Sequence, residues 1–135
     1  MSDDFILDTR LAGDTFPIKG LGLSAVRLMD DARWPWLVLV PQRAGIGELF
    51  ELPPLDQTSL TYEIAAVSAA LKRLTACTKI NVGALGNVVR QLHVHVVARN
   101  EGDPAWPGPV WGVGTARRYD DEARRALIAA LRDAL

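Results

Sequence analysis

Two runs of apolar residues early in the chain set the first expectation. Leu21 to Met29 reads LGLSAVRLM with loose alternation, and Trp36 to Val40 reads WLVLV, almost wholly apolar and closed by Pro41. The short polar link Asp30-Asp31-Ala32-Arg33 makes a β-hairpin the economical reading of the pair. Pro53-Pro54 then stops what precedes, and Asp56 is placed to cap a helix. Apolar residues fall at 60, 64, 67, 71 and 74, the stripe of an amphipathic helix over Gln57 to Leu74 that packs on a sheet. Lys79 to Val82 predicts a strand, Gly83 to Gly86 a turn, and Val88 to Arg99 a longer returning strand.

The ends of the chain carry weaker patterns. Phe5, Ile6, Leu7 and Leu11 are scattered anchors before the turn-prone Gly13-Asp14, as in an arm packed over the edge of a domain. After Arg99 the segment NEGDPAWPGPVWG holds three prolines and several glycines, which deny it regular structure. Trp106 and Trp111 within it are costly to expose, so they pack on this subunit, on a partner or beside a ligand. Asp120 caps a final helix with Leu127, Leu131 and Leu135 on one face. The order hairpin, helix, hairpin, helix predicts an α+β fold: an antiparallel sheet with one central packing helix and a C-terminal helix. At 135 residues the chain is one domain, its core over about 20–100 and a loop and helix over 101–135.

Composition narrows the function classes. The net charge is −1, so no basic surface points to nucleic acid. No apolar stretch approaches the roughly 20 residues needed to span a bilayer, and the acidic start MSDD is no signal peptide. The single cysteine, Cys77, excludes an internal disulfide and reads as a small buried apolar residue. A cytoplasmic protein without membrane or nucleic-acid partners is expected.

Candidate chemistry collects in Asn81 to Arg99, NVGALGNVVRQLHVHVVAR, which holds both histidines of the chain. With the period of two in a strand, Gln91, His93 and His95 share one face and Leu92, Val94 and Val96 the other. An imidazole whose second nitrogen is held by a carbonyl can act as a nucleophile towards phosphorus or an acyl carbon. The second histidine, roughly 7 Å further along the same face, could donate to a phosphate oxygen. Gly83, Gly86 and the amides around Asn87 and Val88 form a loop of short side chains that lets N–H groups approach an anion, with Asn81 and Asn87 as further donors. His-x-His also suits two metal ligands, but no third histidine exists and Cys77 is badly spaced, so no metal is expected. Two polar residues on a solvated strand face remain the plain alternative.

The run Gly86-Asn87-Val88-Val89-Arg90-Gln91-Leu92-His93-Val94-His95-Val96-Val97, with Asn81 to Gly83 upstream, resembles the histidine triad (HIT) superfamily of nucleotide hydrolases and transferases. The resemblance covers about residues 20–100 and implies a HIT-like fold. It makes His93 the middle histidine of the triad, the nucleophile that attacks the α-phosphate of a nucleotide and forms a nucleotidyl-histidine intermediate. It makes His95 the third, in contact with phosphate oxygens, and puts Asn81, Gly86, Asn87 and Val88 at positions that bind phosphate or ribose. Asp30 falls near the family's ribose-binding position.

Two departures stand out. Gln91 occupies the first triad position, and Trp36 aligns with a further histidine of the family. Glutamine donates and accepts hydrogen bonds but cannot supply a proton near neutral pH. The related galactose-1-phosphate uridylyltransferases carry a glutamine at the third position. With Gln91 grouped with His93 and His95 as catalytic, the resemblance implies hydrolysis or nucleotidyl transfer on a dinucleoside polyphosphate, such as diadenosine tetraphosphate, or on a nucleoside phosphoramidate, without a cofactor. The alternative is a nucleotide-binding protein with little or no catalysis. Dimers are common in the family, so a homodimer is expected.

Overall fold

A computed structural model describes residues 4–135; the Met1–Asp3 part of the acidic start lies outside them. The elements in order are α1 (Thr9–Asp14), β1 (Thr15–Gly20), β2 (Ser24–Met29), β3 (Trp36–Pro41), α2 (Pro54–Thr75), β4 (Lys79–Gly83), β5 (Val94–Arg99) and α3 (Asp121–Ala134). The strands form one antiparallel sheet in the order β1-β2-β3-β5-β4. The expected α+β architecture is therefore the observed one.

Central strands β3 and β5 are buried along their whole length, which explains why they lack clean alternation. Leu37, Leu39, Val94, Val96 and Ala98 face a core closed by Leu60, Val67 and Leu71 of α2 and Leu131 of α3. The opposite face carries Trp36, Val38, Val40 and Val97 under Leu11, Trp34 and Val110. His95 lies between Val94 and Val96 in β5 and so belongs to this second face. One face of the sheet is thus a helix-covered core, and the other is covered by the chain's N-terminal segment and its tryptophan loop.

Four features differ from the sequence reading. The N-terminal arm is a short helix followed by the edge strand β1, whose register with β2 shifts between Pro17 and Lys19. That bulge leaves Ile18 buried out of step with its neighbours and erases the period of two. Helix α2 begins at Pro54 with Pro53 as its N-cap; Asp56 sits in the first turn and pairs with Arg43, Nε to Oδ2 at 2.9 Å. The last residue of the α2 stripe, Leu74, is exposed. The returning strand starts at Val94, so that residues 84–93 form an irregular crossing instead of a tight turn.

Two other readings, of Asp120 and Cys77, hold. Asp120 caps α3, its Oδ1 accepting from Ala123 N at 2.8 Å. Cys77 is buried in the helix-side core. Among the described residues no helix is long and apolar enough to cross a membrane.

Candidate active site

Pairing of β3 with β5 sets Val38 opposite His95 and Trp36 opposite Val97. Trp36 and His95 are thus diagonal neighbours on one face, within reach of each other for long side chains. Trp36 Nε1 donates to His95 Nδ1 at 2.9 Å. An indole N–H can only donate, so Nδ1 carries the lone pair and the proton of neutral His95 sits on Nε2. Burial, with the nearby His93 charge as the smaller cause, pushes His95 down to about 4, which keeps the ring neutral through the physiological range.

His93 has the opposite tautomer. Its Nδ1 lies 2.7 Å from the main-chain oxygen of Gln91. A carbonyl only accepts, so Nδ1 holds a hydrogen, and in the neutral ring the free lone pair is on Nε2. The two rings meet edge to face with centroids 5.0 Å apart. Neighbouring imidazoles thus offer one base nitrogen and one N–H donor.

Both rings line a cavity of about 340 Å³ whose loop wall is Leu85 to Val89 and whose far wall is made by Arg10, Leu11, Asp14 and Met29. Gly86, Asn87 and Val88 are thereby brought to the histidines, and Gly86 has the positive φ of +74° that a side chain would resist. His93 also borders a second cavity of about 190 Å³, shared with Gly47, Glu48 and Gln91. Trp111 closes the larger cavity over His95, ring centroids 5.3 Å apart.

Other expected site residues sit elsewhere. Asn81 Oδ1 accepts from Arg99 Nη1 at 2.8 Å and lines neither cavity. Arg99 in turn makes a two-pronged pair with Asp103, at 2.8 and 3.0 Å, which tethers the tryptophan loop. Asp30 accepts from Tyr119 N at 3.0 Å and so fastens the chain that leads into α3. Gln91 lends its main-chain oxygen to His93, while its side-chain amide turns to the N-terminal segment: Oε1 accepts from Asp8 N and Nε2 donates to Ile6 O, both at 2.9 Å. Gly83 makes room rather than a cradle: a Cβ there would lie 3.0 Å from the edge of the Trp111 indole.

A family model of the HIT domain matches residues 15–102. The chain belongs to the HIT family. It is similar over nearly its whole length to three solved HIT-family structures. A histidine triad protein from Sinorhizobium meliloti is 59% identical, with a TM-score of 0.96 and 98% of each chain covered. One from Bradyrhizobium japonicum is 47% identical, with a TM-score of 0.94 over 96% of this chain and 97% of that one. One from Marinobacter aquaeolei is 45% identical, with a TM-score of 0.95 over 97% and 96%. No curated protein matches the chain.

For a HIT protein, whose family is one of nucleotide-binding proteins, the site contains two features that the sequence did not disclose. Arg10 and Asp14 lie in a segment without periodicity, so nothing marked them as neighbours of the histidines. The indole of Trp36 serves as a hydrogen-bond donor to His95, a role visible only once β3 and β5 are paired. Among the described residues no group of three or more His, Cys, Asp or Glu could hold a metal ion.

Proposed function

We propose that the protein is a nucleotide phosphohydrolase or nucleotidyl transferase in which His93 attacks the α-phosphate of a dinucleoside polyphosphate. The single observation that carries this reading is the pair of opposite tautomers. His93 has its lone pair on Nε2, and His95, held neutral, has its N–H on Nε2. In the reaction the His93 Nε2–P bond forms as the bond from phosphorus to the bridging oxygen breaks, and that oxygen leaves with its electron pair. Water then displaces His93 from the nucleotidyl-histidine and loses a proton to the solvent, which gives a nucleoside monophosphate and returns the neutral imidazole. The His95 N–H and the main-chain amides of the 86–88 loop are suited to the charge that builds on the phosphoryl oxygens.

Gln91 decides between the two substrate classes. A polyphosphate leaves as a stable anion, whereas an amine leaving group needs a proton that an amide side chain cannot give. Dinucleoside polyphosphates, such as diadenosine tetraphosphate, therefore suit this site better than nucleoside phosphoramidates. Wild-type protein mixed with diadenosine tetraphosphate should show, in intact-mass spectra, an adduct of one nucleotidyl group that His93→Ala lacks. Tight nucleotide binding with neither adduct nor turnover would instead establish the second reading, a binding protein with little catalysis. That reading is favoured by the Gln91 side chain being engaged away from the histidines.

A homodimer belongs to the same proposal. Strand β4 is a sheet edge, and Val82 on it and Leu85 just beyond it are exposed apolar residues. Sedimentation of a monomer at micromolar concentration would refute it. The lone buried Cys77 is consistent with a reducing, cytoplasmic setting.

A further inference from the structure

The amide of Gln91, two residues before His93 in the 84–93 crossing, is tied to the chain's first described residues by both a donor and an acceptor. Its orientation is fixed by chemistry, because Asp8 N–H can only donate to Oε1 and Ile6 C=O can only accept from Nε2. Between these two anchors Leu7 packs on the tryptophan-side core. Asp8 then caps α1, Oδ1 accepting from Arg10 N at 2.8 Å, and Leu11 is buried beside Trp36. The outcome of this chain of contacts is that Arg10 lines the cavity of His93 and His95. Arg10 is the one lysine or arginine among the residues lining it, and its guanidinium has no hydrogen-bond or ion-pair partner among the described residues. An anion beside His93 in this cavity thus has Arg10 as the one lysine or arginine on the lining, with Asp14 as the one carboxylate.

We propose that Arg10 binds the phosphate chain of the substrate, and that Gln91 is a positioning residue which docks residues 6–8 so that α1 holds Arg10 there. Position 91 thereby takes part in the site through the N-terminal segment, without donating a proton. The assignment rests on the nucleotide reading given above. It makes the segment before β1, which lies outside the 15–102 match to the HIT domain, part of the functional unit.

The test uses the full chain and two measurements. The first is binding of ATP by calorimetry. Arg10→Gln should raise the Kd about tenfold, the scale of one charge-assisted hydrogen bond, while Arg10→Lys should keep most of the affinity. Gln91→Ala should weaken binding in part, and Gln91→Ala combined with Arg10→Gln should be no weaker than Arg10→Gln alone, the non-additivity expected when one residue acts through the other. Unchanged affinity in Arg10→Gln, or additive losses in the double variant, would overturn the assignment. The second measurement is amide hydrogen exchange without ligand. The Asp8 amide should exchange about tenfold faster or more in Gln91→Ala, with amides of β3 and β5 unaffected. Protection of Asp8 that survives Gln91→Ala refutes the docking role. Wild-type protein that binds no ATP sinks both the nucleotide reading and the Arg10 assignment, and the exchange result separates that failure from a failure of the docking.

Discussion

Trp36 donates its indole N–H to Nδ1 of His95 across the β3–β5 pairing, at 2.9 Å. That one bond selects a tautomer. With Nδ1 occupied as an acceptor, the remaining proton must sit on Nε2, the nitrogen free to address a ligand. A histidine at this position could be donor or acceptor according to its own protonation. A tryptophan can only donate, so the arrangement here has a single state.

Replacing Trp36 with Phe should therefore release the tautomer. The ring volume is largely kept, the donor is lost, and the Nδ1–H form of His95 becomes populated alongside the Nε2–H form. Nitrogen chemical shifts of labelled histidine would show the change directly. An unchanged His95 tautomer in Trp36→Phe would mean that the indole is only packing. The orphaned acceptor should also cost about 1–3 kcal/mol of stability.

His95 predicts a pH dependence of folding with a defined sign. Its folded-state pKa of about 4 lies below the ordinary 6.5, so between these values the unfolded chain binds a proton that the folded protein refuses. Stability is then fully present above pH 6.5 and is lost as the pH falls towards 4, by up to about 3 kcal/mol. Urea unfolding at a series of pH values should show this slope, and His95→Asn should flatten it. A curve just as steep in His95→Asn would assign the loss to other groups.

Gly83 offers a steric prediction. It faces His95 in the β4–β5 register, and a Cβ there would come within 3.0 Å of Trp111. Gly83→Ala must shift the indole edge by a few tenths of an ångström, and where the packing around Trp111 resists, the overpacking costs about 1–3 kcal/mol. Tryptophan fluorescence and the Tm should both shift. If neither moves, the lid over the cavity is softer than its packing suggests.

What the sequence disclosed, and what it hid, follows from how each residue is used. The two-sided burial of β3 showed as an almost wholly apolar run, and the residues of α2 at 60, 67 and 71 showed as a helical stripe, because each is a regular element packed on a regular face. The histidine pair was legible for the same reason, as polar residues intruding on such a run. Strand β1 was not, since its bulge at Ile18 breaks the alternation and it lies at an edge. Arg10 and Asp14 were invisible because tertiary docking, through Gln91 and Leu11, brings them to the cavity. Asn81 and Asp30 went the other way: residue types suited to binding nucleotide are held by Arg99 and by the main chain at Tyr119.

The Arg99–Asp103 pair is the last test of how the site is held. Arg99 is 1% exposed and gives two hydrogen bonds to Asp103, whose carboxyl it holds well below the usual carboxylate range. Its guanidinium also lies 5.7 Å from the Trp106 ring, and Asp103 collects the amides of Asn100, Ala105 and Trp106. One carboxylate thus ties the loop carrying Trp106, and onward to Trp111, to the end of the strand that carries His95. Asp103→Ala leaves a buried cation without its partner, which typically costs about 3–5 kcal/mol. The loss should appear both as a lower urea midpoint and as weakened near-ultraviolet circular dichroism from the tryptophans. Loss of the midpoint with an intact tryptophan signal would show that the loop is held by its own packing instead.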